Sequence, residues 1–132
     1  MSGPFLDTNV LVYAFDGTAT KADVAEELLT TGGVVSVQVL NELANVARRK
    51  LKLSFAELGE ALGVVRALCE VVPVSVETHA LALALAERYQ LGIFDACIVA
   101  SAELAGCSTL YSEDMHDGQQ LDAVLICNPF VR

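Results

Sequence analysis

Short apolar runs alternate along the chain with longer segments whose apolar residues recur three and four positions apart, which predicts strands interleaved with helices. Behind Pro4, Phe5-Leu6 reads as a first strand that stops at Asp7-Thr8-Asn9, with a short helix from Asn9 through the Val10 to Ala14 run. Asp16-Gly17-Thr18 reads as a turn. Thr20-Lys21-Ala22-Asp23 has the spacing of a capping box that opens a helix through Leu29, closed by Gly32-Gly33. Val34 to Ser36 is then a second strand and Val37 to Leu51 a third helix. Ser54 and Glu57 form another capping box for a helix to Cys69, and Val71 to Val74 is a third strand that Pro73 pushes toward a sheet edge. Ser75 caps a helix to Tyr89 whose apolar centre, His79 to Ala86, reads as buried on most sides, with His79 structural. After Gly92 a helix runs from Phe94 to Ala105, followed by strands Thr109 to Tyr111 and Ala123 to Cys127. Helices separating short apolar strands imply an α/β protein with a parallel sheet covered on both faces.

Length and composition narrow this picture. The 132 residues suit one domain spanning the whole chain, 1–132. A hydrophobic content of 54% points to helices and strands covered on more than one side, or to a self-associating surface such as a homo-oligomer would bury. No run approaches the roughly 20 apolar residues that cross a bilayer, and Met1-Ser2-Gly3-Pro4 lacks a basic and apolar leader, so a cytoplasmic protein without a membrane partner is expected. Cys69, Cys97, Cys107 and Cys127 show no C-x-x-C spacing and sit in apolar surroundings, as core thiols do.

The acids carry the chemistry. On the third helix Leu40, Ala44, Ala47 and Leu51 form an apolar stripe, with Gln38, Glu42, Asn45 and Arg49 together on the opposite side. Asp95 projects along the line of Val99 and Ala102, so a carboxylate opens an apolar helix face, which is costly unless it is paired, capped or metal-bound. The strand ending at Tyr111 runs straight into Ser112-Glu113-Asp114. Singly, each acid has a plain explanation: Asp7 or Asn9 as a helix cap, Glu42 on a solvated face, Asp95 in a first turn. Together Asp7, Glu42, Asp95 and Asp114 lie at strand carboxyl ends or on the helices that leave them, where open α/β sheets gather ligands. Four crowded acids raise one another's pKa values and need a cation. All-oxygen ligation selects Mg²⁺ or Mn²⁺ over Zn²⁺. One such ion, or two about 3.5–4 Å apart, supports phosphodiester hydrolysis without a protein nucleophile.

The ordered set Phe5-Leu6-Asp7-Thr8-Asn9-Val10-Leu11, Asn41-Glu42, Phe94-Asp95-Ala96, Leu110-Tyr111-Ser112-Glu113-Asp114-Met115 and Asn128-Pro129-Phe130 resembles a PIN domain, specifically a VapC-type toxin ribonuclease. The resemblance covers almost the whole chain. It implies a three-layer fold with a five-stranded parallel sheet in order 3-2-1-4-5, Mg²⁺- or Mn²⁺-dependent endoribonuclease activity on single-stranded RNA, tRNA or rRNA, a homodimer, and inhibition by a small VapB-like antitoxin in a type II toxin-antitoxin pair. Carried over by motif, Asp7, Glu42, Asp95 and Asp114 are the catalytic metal ligands, Asp117 a variable fifth acid, and Asn9 and Ser112 their polar supports. The first two helices and the Ser54 to Cys69 helix are the candidate partner surface.

Net charge is −9, from 17 acids and 8 bases, which opposes a nucleic-acid partner unless five of the acids are held in one metal cluster, leaving 12 against 8. Half of the bases, Arg48, Arg49, Lys50 and Lys52, fall within five positions; Arg48 and Arg49 are the candidate RNA contacts, against a plain role at a helix terminus. The competing functions are a PIN-like interaction module without catalysis and a phosphatase of the haloacid-dehalogenase type. The phosphatase motif requires an Asp where Asn9 stands.

Overall fold

The computed structural model describes residues 3–17 and 19–131. Its sheet is built around β1 (Phe5–Leu6), which pairs in parallel with β2 (Val34–Ser36) on one side and β4 (Thr109–Tyr111) on the other. The order is β3-β2-β1-β4-β6-β5, with β3 (Glu70–Val72) at one edge and β6 (Val124–Cys127) parallel to β4. Successive side chains of a strand point to opposite faces, and Phe5 and Leu6 are both fully buried. Both faces are therefore covered, as a parallel sheet requires.

The five parallel strands have the expected order, and a sixth is added. The two-residue β5 (Gln120–Leu121) runs antiparallel to β6 and closes the far edge, with Asp122 at φ 50° in the turn between them. Such a strand leaves almost no periodic signal. Leu121 is its only apolar residue.

Helix boundaries follow the capping chemistry. In α4 (Phe55–Leu68) the Ser54 hydroxyl accepts from Glu57 N–H while Glu57 accepts from Ser54 N–H; in α5 (Val76–Tyr89) Ser75 and Thr78 do the same. The box expected at Thr20 is absent. Helix α2 (Ala22–Thr31) starts after Lys21, whose ammonium has no acceptor with which to cap backbone N–H groups and pairs with Glu113. Part of the preceding turn, Thr18, lies outside the described residues, as do Met1 and Ser2. Helix α1 (Thr8–Phe15) begins one residue earlier than expected, with Asp7 as its cap.

Two faces differ from the sequence reading. Helix α3 (Val37–Arg49) buries Val39, Leu43 and Ala47, whereas Leu40 and Ala44 are only half-buried. In α5 only Thr78, Ala82 and Leu85 are buried, so its apolar centre is covered on one side, and His79 is exposed. Helix α6 (Ile93–Leu104) is the buried one, packed against α5 and over β2, β4 and β6.

The approach of β1 to β2 depends on Gly33. A Cβ there would lie 2.4 Å from the Pro4 carbonyl oxygen, the same oxygen that accepts the Val34 N–H at 2.9 Å. Gly33→Ala is expected to destabilise the protein by about 1–3 kcal/mol, because the contact is to backbone and cannot rotate away. Denaturant unfolding measures it, and an unchanged midpoint would refute this account of the strand pairing.

Candidate metal centre

Strand β1 delivers Asp7 to the carboxyl end of the sheet, where it is 5% exposed. Asp7 Oδ1 accepts from Thr8 N–H at 2.8 Å, and Oδ2 accepts from the Ser112 hydroxyl at 2.9 Å and from Asn9 Nδ2 at 3.2 Å. The acid is thus both helix cap and cleft residue. Ser112 is fully buried beyond β4, and the Asn9 amide joins the two strand ends by donating to Ser112 Oγ at 3.3 Å and accepting Glu113 N–H at 2.9 Å.

Glu42 is half-buried on α3, held by two donors. The Thr8 hydroxyl donates to Oε1 at 2.7 Å and Gln38 Nε2 to Oε2 at 3.2 Å. Gln38 also donates to the Phe94 carbonyl at 3.3 Å, bracing α3 against the first turn of α6 that carries Asp95. That turn starts at Gly92 without a side-chain cap. Asp114 follows β4 and is exposed.

Asp7, Glu42, Asp95 and Asp114 all line one cleft of about 660 Å³. Their mutual electrostatics follow from this placement. Burial raises the Asp7 pKa to about 6, with the charges of Glu42 and Asp95 adding to the rise over the bonds from Ser112 and Thr8 that oppose it. Asp95 is exposed as a residue, against the inward placement expected, yet loss of water at its carboxylate raises its pKa, and Asp114 and Glu42 raise it further. Two further acids line the cleft, Asp16 and Glu113, and the charge of Glu113 is balanced by Lys21. Burial works against it, but Lys21 and the Tyr13 hydroxyl, which donates at 2.7 Å, hold its pKa below the ordinary value.

The donor set is all carboxylate, which fits a hard divalent cation. As placed, no group of three or more His, Cys, Asp or Glu side chains among the described residues is arranged to hold one ion. Ligation of one ion by three or more of these carboxylates therefore requires side-chain movement, for which the exposed Asp95 and Asp114 have rotamer freedom.

Three expected site residues lie elsewhere. Asp117 is outside the cleft, where its Oδ1 accepts the Asn128 N–H at 2.7 Å and so shapes the C-terminal turn. Arg48 donates to the Leu53 carbonyl at 2.8 Å and lies 4.1 Å over the Phe55 ring, and Arg49 does not line the cleft. Thr8, which the sequence places beside Asp7 as a residue able to orient a ligand, holds Glu42, and Gln38, Glu113 and Lys50 add to the site beyond the expected residues. Gln38 has its i, i+4 spacing to Glu42 as a signal, Glu113 its place in the acidic run after β4, and Lys50 its place in the basic cluster.

A buried acid at the end of a central parallel strand, joined by acids from a flanking helix and the neighbouring strand, defines an α/β domain with an acidic site at the sheet's carboxyl edge. The chain belongs to the PIN-domain family, whose model matches residues 5–116. PIN-domain nucleases generally use divalent metal ions. Among solved structures the chain is similar to a toxin-antitoxin complex from Klebsiella pneumoniae, at TM-score 0.74 and 19% identity over 96% of this chain and 98% of that one. It is also similar to VapC20 of Mycobacterium tuberculosis, a toxin that cleaves the sarcin-ricin loop, at TM-score 0.69 and 19% identity over 83% and 88%. VapBC2 of Rickettsia felis, bound to promoter DNA, matches at TM-score 0.68 and 21% identity over 94% and 96%. These likenesses establish the shared fold. No curated protein matches the sequence significantly.

Proposed function

We propose that the protein is a Mg²⁺- or Mn²⁺-dependent endoribonuclease acting as the toxin of a toxin-antitoxin pair. The observation that carries this reading is the convergence of four acids, Asp7, Glu42, Asp95 and Asp114, that form no ion pair among the described residues, on one open cleft at the carboxyl edge of the sheet. A divalent cation bound by these carboxylates supplies Lewis-acid activation of the phosphodiester and of the attacking water. The chain's own contribution is orientation. Thr8 and Gln38 each fix one oxygen of Glu42, Ser112 and Asn9 fix Asp7, and the Lys21 pair keeps Glu113 from competing for the cation. Asp117 enters this scheme as a support of the C-terminal turn rather than as a ligand.

Partners follow from similarity and from surface. The neighbours in fold include toxin-antitoxin complexes, and this chain exposes Phe55 (74%), Val76 (84%) and Phe94 (71%). We assign these exposed apolar side chains to contacts with a second copy of the chain and with a small antitoxin. No described helix is long and apolar enough to cross a membrane. A single domain over 1–132 and a cytoplasmic location complete the proposal.

The test is cleavage of single-stranded RNA by purified protein with Mg²⁺ or Mn²⁺, expected to stop on chelation and resume when either ion is restored. Cleavage that persists in chelator would sink the metal mechanism. RNA that stays intact with both ions, across transfer and ribosomal RNA as well as unstructured oligomers, would favour the interaction-module reading.

A further inference from the structure

Six carboxylates line the cleft, those of Asp7, Asp16, Glu42, Asp95, Glu113 and Asp114, and they repel an RNA strand, so a nuclease cleft of this composition needs a positive group to hold its substrate. Among the described residues that line the cleft, Lys50 is the only base. It is exposed, and among the described residues it makes no ion pair, whereas Lys21 is bound to Glu113, Arg88 to Asp122, and Arg48 to the Leu53 carbonyl. Lys50 is the C-cap of α3, eight residues beyond Glu42, which at 1.5 Å per residue places it about 12 Å along the helix from that acid. Asn45, Val46 and Leu51 line the cleft between or beside them.

The geometry points to Lys50 as the residue that grips a backbone phosphate of the RNA strand away from the bond to be cut, a role that rests on the nuclease reading above. The phosphate it holds is not the scissile one, because Lys50 lies about 12 Å along α3 from Glu42. A different account is available for any cation at a helix C-terminus: it stabilises the macrodipole and touches no ligand. That account predicts a small change in stability and none in RNA binding.

Binding is measured by fluorescence anisotropy of single-stranded RNA oligomers in Mg²⁺ at several salt concentrations, in an Asp95→Asn background so that RNA is not consumed. Lys50→Ala and Lys50→Gln are expected to weaken binding by about fivefold, the upper end for an exposed charge pair. The slope of log affinity against log salt falls by about 0.7, as for one phosphate of a single strand, and the loss is equal for oligomers of different sequence. Lys50→Arg restores both quantities, and Arg48→Ala changes neither. Unchanged affinity and slope in both Lys50 variants overturn the assignment while the nuclease reading stands, and a loss confined to one sequence overturns the phosphate contact in favour of a base contact. Failure of the background protein to bind RNA, together with failure of the parent to cleave it, overturns both.

Discussion

Asp95→Asn lowers RNA cleavage by about 10²- to 10³-fold with little change in thermal stability, the loss typical of removing one preorganised electrostatic contact to a transition state. Asp95 is exposed and lines the cleft, and among the described residues its carboxylate accepts no hydrogen bond, so the amide replaces it without disturbing a neighbour. What the substitution removes is charge, and with it a ligand of the right hardness for Mg²⁺ or Mn²⁺. The contrast is Asp117→Asn. Asp117 carries an acid of the same kind, but it accepts from Asn128 N–H outside the cleft, and the Asn carbonyl can still accept that bond. Its replacement is expected to leave the rate within a few-fold of the parent. Initial rates on one RNA, with unfolding curves for each variant, decide the point. A parental rate in Asp95→Asn, or a collapse in Asp117→Asn equal to that expected for Asp95, would redraw the ligand set.

What could be read from the chain is what local chemistry writes into it. Strand β1 ends at Asp7 and β4 ends before Ser112-Glu113-Asp114, and both junctions carry an abrupt change from apolar to acidic residues that survives without knowledge of the fold. The boxes at Ser54 and Ser75 are equally local. The failures are tertiary. Helix α3 contains two overlapping apolar rows, Val39-Leu43-Ala47 and Leu40-Ala44-Ala47, and only packing against α1 and α4 selects the first. The composition of α5 shows that it is apolar but not what covers it, and Leu83 is 51% exposed. Lys50 was passed over for the same kind of reason. An ideal helical wheel puts Arg49 in line with Glu42, but α3 ends at Arg49, and the residue after its end is the one that faces the cleft. The hydroxyl of Thr8 on Glu42 joins residues 34 positions apart, a contact no periodicity encodes.

Asp7→Asn should abolish cleavage and, without added metal, make the protein more stable at about pH 8. The Asp7 pKa is raised from 3.8 to about 6, so the fold favours the protonated acid. That contribution is fully present below about 3.8 and is lost as pH rises through about 6; above this the folded protein holds an ionised carboxylate beside Glu42 and Asp95. A shift of roughly two units corresponds to at most about 3 kcal/mol. The Asn side chain keeps an acceptor for Thr8 N–H, but its amide must turn toward Ser112 and Asn9, of which only the hydroxyl can accept. A net gain of about 1–2 kcal/mol remains after one weakened bond. The gain should shrink as pH falls from about 7 toward 4, where the parent also carries a neutral side chain. Mg²⁺ should reverse the ranking, because a ligand bound only by the folded parent adds stability by mass action and the variant has lost a ligand. Thermal unfolding of both proteins at about pH 5 and about pH 8, with and without Mg²⁺, gives all four comparisons. If Asp7→Asn is less stable than the parent at about pH 8 without added metal, the hydrogen bonds to this carboxylate outweigh its charge. Asp7 would then be chiefly the cap that joins β1 to α1.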